Sequence, residues 1–249
     1  MQNKLIHEIR AVKSKKELAN IIKAQRITEH VLYDVVKKLK VYARTGQAKI
    51  TEIEVANFVK KSFVKYGVPV LSFPPIVSFG MNTANIHHKP TSAKLKRGDI
   101  IMFDFGCAVN HYCSDMTRCY FFGEPSIKQR KIYLAVLEAQ NKALRKIKNG
   151  ERRAKIIDKS AREFLNKKFG ANKFPHGLGH GVGTVIHEWP NFKPKSEDII
   201  PVGCVMTVEP GLYFKGFGGV RIEDMILITK KGYKNLTKIP KNLDSVILK

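Results

Sequence analysis

The sequence predicts an α+β fold made of two halves with the same plan. Two helical stretches followed by strands occupy the first half, and helices over residues 126–169 followed by strands occupy the second. Each half contains one conspicuous hairpin, and no linker or low-complexity stretch separates them. No sequence repeat is visible, so the likeness lies in the pattern alone. The expectation is one pseudo-symmetric domain over residues 1–249.

Residues 4–40 carry Leu18, Ile21, Ile22, Ile27, Val31, Leu32, Val35, Val36 and Leu39 at helical spacing, with lysines on the other face. Thr51 with Glu54 three positions on is a capping-box pattern. It opens a helix through Val55, Phe58, Val59 and Phe63 that stops at Gly67-Val68-Pro69. Phe73 and Ile76–Phe79 predict a short strand interrupted by Pro74-Pro75, followed by a loop with His87 and His88. Later, residues 126–147 form an amphipathic helix ending at Asn149-Gly150, and 153–169 another ending at Gly170.

Asp99–Gly123 reads as the first hairpin: an apolar run Ile100–Phe105, a break around Gly106–His111, and an aromatic-rich run to Phe122. With Val109-Asn110 as its turn, Asp104 and Asp115 oppose each other on one face, their β-carbons about 4.5–5.5 Å apart. With the turn off by one residue, the two Asp are expected to point to opposite faces instead. Two bare carboxylates that close repel, and a divalent cation, which takes oxygen ligands, removes the repulsion.

The second half supplies partners. PHGLGHGVGTVIHEWP (175–190) holds His176, His180 and His187. Glycines at 177, 179, 181 and 183 argue for an extended segment, in which residues 176 and 180 share a face. A second hairpin follows over 203–229, with Val205–Val208 as first strand, Lys215–Gly219 as turn and Val220–Ile228 as return. Glu209 and Glu223 flank that turn, and Arg221 and Asp224 adjoin Glu223. Two Asp, two Glu and one His can hold two divalent ions.

Composition narrows the classes. The length is sufficient for a well-buried core. No run of 18 or more apolar residues occurs and the N-terminus has no apolar signal-peptide core, so no membrane association and a cytoplasmic location are expected. Cys107, Cys113, Cys119 and Cys204 form no CxxC pair and no disulfide framework; Cys113 shares parity with Asp115 and can sit near a metal. The formal net charge of +24 raises nucleic-acid binding. The lysines are scattered along the whole chain, however, alongside much Ile and Asn, which points to compositional bias.

Taken together, these motifs resemble the metallopeptidases of the pita-bread fold (peptidase family M24), the group of methionine aminopeptidases, Xaa-Pro aminopeptidases and prolidases. The resemblance covers residues 8–247. It implies pseudo-two-fold halves, a curved antiparallel sheet and helices on its outer face. It further implies that Asp104 chelates one metal, that Asp115 and Glu223 bridge, and that His180 and Glu209 hold the other. His87, His176 and His187 match histidines that bind substrate and shuttle protons. FDFGCAVNHYCSDMTR, HGLGHGVG, TVEPGLY and GGVRIEDM are similar to the Xaa-Pro branch, in which Arg221 and Tyr213 match positions beside the metals. Xaa-Pro enzymes usually carry an additional N-terminal domain; this chain begins where the catalytic domain begins, so that domain is expected to be absent, and the protein to be a monomer or homodimer.

The implied activity is hydrolysis of the bond between an N-terminal residue and proline by a dinuclear metal site. An oxygen-rich set with one His suits Mn²⁺, with Co²⁺, Fe²⁺ or Zn²⁺ as alternatives. Glu209 would take the water's proton, while His187 and His87 stabilise the oxyanion or guide the leaving nitrogen. His176 and Arg221 would position substrate. Two other readings stand beside it: a methionine aminopeptidase with the same metals, and a non-catalytic relative that binds RNA, ribosomes or peptides.

Overall fold

The computed structural model describes residues 2–45 and 49–249. The helical pattern over 4–40 resolves into two helices, α1 (Gln2–Ala11) and α2 (Lys15–Thr45). Between them the chain leaves the helix to bridge Val12 with Cys204 and to donate from Lys13 N–H to Gly203 O. Ser14 and Glu17 then exchange the two reciprocal bonds of a capping box and restart it. α3 (Glu52–Lys65) begins at the predicted capping box of Thr51 and Glu54. α4 (Ile127–Lys148) opens on the same device, Ser126 with Gln129, and α5 (Ala154–Phe169) ends at Gly170, whose φ of +80° only glycine adopts freely.

In the first half, β1 (Ile76–Phe79) pairs with β2 (Ile100–Asp104), and β2 with β5 (Thr117–Phe122), all antiparallel. Phe73 lies outside the strand, because two prolines in succession precede β1 and supply no N–H for a ladder. β3 (Ala108–Val109) and β4 (Tyr112–Cys113) form the tip of the hairpin. In the second half, β6 (Gly179–Gly181), β7 (Glu188–Phe192), β8 (Val205–Val208), β11 (Asp224–Thr229) and β12 (Gly232–Asn235) form one sheet in the order β12-β11-β8-β6-β7. The predicted second hairpin is bent in two: β8 pairs with β11, while β9 (Gly211–Phe214) and β10 (Gly218–Arg221) pair separately beyond Glu209-Pro210 and Ile222-Glu223. β13 (Ile247–Leu248) closes the edge of the first sheet, parallel to β5.

The predicted turn of the first hairpin is corrected. It lies at Asn110-His111, with φ of 48° and 70°, and not at Val109-Asn110. A two-residue turn of this kind needs two left-handed residues, which β-branched Val109 resists and Asn tolerates. Asp104 therefore opposes Thr117, and Asp115 lies beyond the end of the β2–β5 ladder, so the two are not cross-strand partners. The expectation that a turn off by one would send the two Asp to opposite faces is corrected as well: moving the turn by one residue moves the register by two, which preserves parity, so both still reach one face. Gly106 makes this possible: a Cβ there would lie 1.9 Å from Ser114 O, where the two arms cross.

One cluster of buried apolar residues draws on both halves, from Val31, Leu32 and Val35 of α2 through Ile101, Phe103 and Phe121 to Val136, Met206 and Val208. Inside it lies a fully buried ion pair, Arg118 with Asp224 at 2.7 Å. Arg118 also donates to the carbonyls of Thr117, Glu223 and Ile239, so one guanidinium ties β5 to the end of the second hairpin. Lys241 and Asn235 complete the shell of Asp224. Among the described residues, no helix is long and apolar enough to cross a membrane. Removing one partner of a buried pair leaves an uncompensated charge. Arg118→Met is expected to cost about 3 kcal/mol of stability, read as a lower midpoint in urea.

Candidate active site

Five of the predicted residues meet at the junction of the halves. Asp104 ends β2, Asp115 follows β4, His180 is the middle residue of β6, Glu209 follows β8, and Glu223 precedes β11. Backbone bonds lock these positions: Glu209 N–H donates to Leu178 O, and Glu223 N–H to Thr117 O across the halves. Gly179 lets β6 lie against β8, since a Cβ there would be 2.1 Å from Thr207 O. All five line a cavity of about 520 Å³, together with His87, His88, His176, His187 and Arg221.

Single oxygen or nitrogen atoms of Asp115, His180 and Glu223 lie within 4.8 Å of one another. His180 Nε2 stands 3.3 Å from Glu209 Oε1 and 3.6 Å from Asp115 Oδ2. Its Nδ1 donates to Gly181 O at 3.0 Å, which turns Nε2 toward the carboxylates, and against burial the bond and charge of Glu209 raise its pKa. Asp104 stands beside this group, its Oδ2 held by Arg221 Nη2 at 2.5 Å.

Electrostatics show the tension. Burial raises Asp115 and Glu223 well above the ordinary carboxylate range, and neighbouring carboxylates push them further. Asp104 is raised too, by burial that Arg221 only partly offsets. Burial would also raise Glu209, but the bond from His180 outweighs it and holds that carboxyl at about 2. Asp104 Oδ1, Asp115 Oδ1 and Glu223 Oε1 are buried with no hydrogen-bond partner. Buried acceptors without donors are rare, and three converging ones describe a place for cations. The residues present therefore fit divalent metal.

The remaining histidines surround this group. His187 meets His180 edge to face, ring centroids 4.3 Å apart, and burial lowers its pKa. Burial holds His176 at about 4, hence neutral at pH 7. His176 Nδ1 donates to Gly177 O, so Nε2 accepts from the Tyr213 hydroxyl at 2.9 Å. Tyr213 in turn accepts from Arg221 Nη1 at 2.8 Å. Asp104, Arg221, Tyr213 and His176 thus form one chain. His87 is brought to the cavity wall by the loop after β1.

Some participants carry no sequence signal of their own. Thr117 donates to Glu223 Oε2 at 2.8 Å and accepts from Arg221 Nε; Thr207 donates to Glu209 Oε1 at 3.0 Å and accepts from His180 N–H. His88 turns away from the carboxylates toward Glu52. Asp224, beside Glu223 in sequence, points into the core.

The model of metallopeptidase family M24 matches residues 19–230. The chain belongs to that family. Its fold is the pita-bread fold: the M24 chain superposes on the Xaa-Pro dipeptidase from Bacillus anthracis with a TM-score of 0.89 at 34% identity, covering 98% of this chain and 66% of that one. It superposes on the prolidase from Pyrococcus furiosus with a TM-score of 0.87 at 36% identity, covering 96% and 68%. An uncharacterized peptidase of Staphylococcus aureus is 39% identical over 236 residues, which is 95% of this chain and 65% of the relative. The chain thus spans about two thirds of the length of the curated relatives it matches.

Metal-free M24 protein should show the cost of these carboxylates. Asp115 and Glu223 keep their protons to higher pH when folded than when unfolded. Stability therefore falls as pH rises from the unfolded carboxylate value toward the raised folded values. Bound cations replace those protons, so added Mn²⁺ is expected to raise the melting temperature more at about pH 7.5 than at about pH 5. Thermal melts of chelator-treated protein with and without Mn²⁺ check this; equal shifts at both pH values would contradict it.

Proposed function

We propose that this M24 protein is a dinuclear-metal peptidase that hydrolyses the bond between an N-terminal residue and proline. The observation that carries the reading is the set Asp104, Asp115, His180, Glu209 and Glu223, gathered on one cavity with three oxygens left unpartnered. The Xaa-Pro specificity draws on the solved dipeptidase and prolidase it resembles over nearly its whole length, and on the Arg221–Tyr213–His176 chain beside the carboxylates. Residues 1–249 would act as one catalytic unit. A cytoplasmic location is supported by four buried, unpaired cysteines.

Asp104 would hold one ion and His180 with Glu209 the other, with Asp115 and Glu223 between them, and Mn²⁺ suits this oxygen-rich set. When bound, the ions supply an acidified water and polarise the scissile carbonyl. Proline's nitrogen carries no N–H in the peptide, so a donor-based grip on it is lost and placement of the carbonyl matters more. Glu209, ionised at neutral pH, takes the water's proton and passes it to the leaving nitrogen. His187 and His87, on the cavity wall, donate to the developing oxyanion or to that nitrogen. Neutral His176, fixed by Tyr213, positions the peptide.

The test is product analysis by mass spectrometry on metal-stripped, Mn²⁺-restored protein offered a Xaa-Pro dipeptide, a Xaa-Pro-Xaa tripeptide and Met-Ala-Ser together. Mn²⁺-dependent cleavage only after the residue before proline is expected. Release of Met alone would make the protein a methionine aminopeptidase, and no cleavage with any metal would sink the enzymatic reading. Asp115→Ala and Glu223→Ala should abolish metal loading and lower turnover by about 10³-fold or more. His187→Ala should lower kcat by about 10²–10³-fold with metal content unchanged.

A further inference from the structure

Glu52, the first residue of α3, is fully buried, and its carboxylate collects donors from both ends of one loop. Oε1 accepts from Phe79 N–H at 2.8 Å and Asn82 Nδ2 at 2.9 Å, where the chain leaves β1. Oε2 bonds His88 Nε2 at 2.7 Å and accepts from Thr91 N–H at 2.9 Å and Thr91 Oγ1 at 2.7 Å, where the chain returns. The helix does not need this carboxylate for its own end, because Thr51 and Glu54 already form the capping box. Backbone bonds from Ile53 N–H to Thr91 O and from Leu95 N–H to Ile50 O anchor the returning strand beside it.

The loop so closed resembles an Ω-loop, its ends held together at one point. It forms one wall of the cavity through Ile86, His87, His88, Lys89 and Pro90. Its other flank rests on β10, where Gly219 N–H donates to Thr83 Oγ1 at 2.8 Å and a Cβ at Gly219 would be 2.6 Å from Thr83 O. β10 also carries Arg221, which holds Asp104. The loop is wedged between α3 and the site.

We infer that Glu52 is a positioning residue: by closing the 79–91 loop from both ends it sets where His87 stands over the reacting peptide. The inference rests on the proposed function for the role of His87, and on the hydrogen bonds alone for the closure. Replacing the carboxylate by an amide of equal size turns one acceptor into a donor that faces donors.

The test uses Glu52→Gln, with Thr91→Val as a milder variant should the first fail to fold. Each is compared with wild type in Mn²⁺ content, in kcat and KM on a Xaa-Pro peptide, and in amide hydrogen exchange. Glu52→Gln is expected to retain its metal, to lose about 10–100-fold in kcat, and to exchange faster within 79–91 than within the rest of α3 and β1. In a His87→Ala background the same substitution should change kcat by less than about 2-fold, because both changes act through one group. An equal factor in both backgrounds would overturn the inference, as would faster exchange spread evenly through α3 and the sheet. Should wild type cleave no Xaa-Pro peptide, the functional reading falls, and hydrogen exchange alone decides: faster exchange confined to 79–91 supports closure by Glu52, and unchanged exchange there refutes it.

Discussion

Four carboxylates turned toward one another inside the protein are the constraint on which the rest of the structure depends. Asp104, Asp115, Glu209 and Glu223 share one cavity, where low polarity strengthens repulsion and withholds water. Everything adjacent answers that charge. Arg221 reaches Asp104, Thr117 serves Glu223, Thr207 serves Glu209, and His180 lies against Glu209 and Asp115. The answer is incomplete, since three carboxylate oxygens remain without a donor. Three of the six buried side-chain atoms without a partner among the described residues lie at this one point, which is how a site for cations is built.

Holding that arrangement requires rigid walls. The halves contribute them jointly: β2 and the crossing after β4 bring the Asp pair, and β6 and the bent second hairpin bring the His and the Glu pair. Arg118 spans the seam inside the core, binding the Asp224 carboxylate and the Glu223 carbonyl together. Its role is geometric. A buried ion pair contributes little net stability, yet it fixes the direction from which Glu223 approaches. Arg221 does the same on the cavity side, with bonds to Asp104, Thr117 and Tyr213.

Much of this was legible in the sequence. Helical spacing and the Thr51–Glu54 and Gly170 signals placed α3 and the end of α5, because capping is local chemistry. The five clustered residues followed from motif order, and the alternating glycines correctly excluded a helix at His180. The turn position was legible too, since β-branched Val109 resists the left-handed dihedrals that Asn110-His111 adopt, and a shift of the turn by one residue keeps both Asp on one face. The break at Val12 was hidden because its cause, pairing with Cys204, is remote in sequence. The roles of Thr117, Thr207 and Glu52 are hidden in the sequence for a related reason. A threonine in a strand and a glutamate in a first helical turn are ordinary until a distant partner gives them a task. Only the TEIE stretch held a clue, since it offers two glutamates where the capping box needs one.

The dispersal of the five residues along the chain has a consequence for biogenesis. Asp104 and Asp115 emerge early, His180 and Glu209 much later, and Glu223 last. No fragment ending before Glu223 can assemble all five residues of the cluster. Because the contacts that converge there are long-range in sequence, the site is complete only when both halves have docked. An assembled cluster therefore reports a chain that has finished folding.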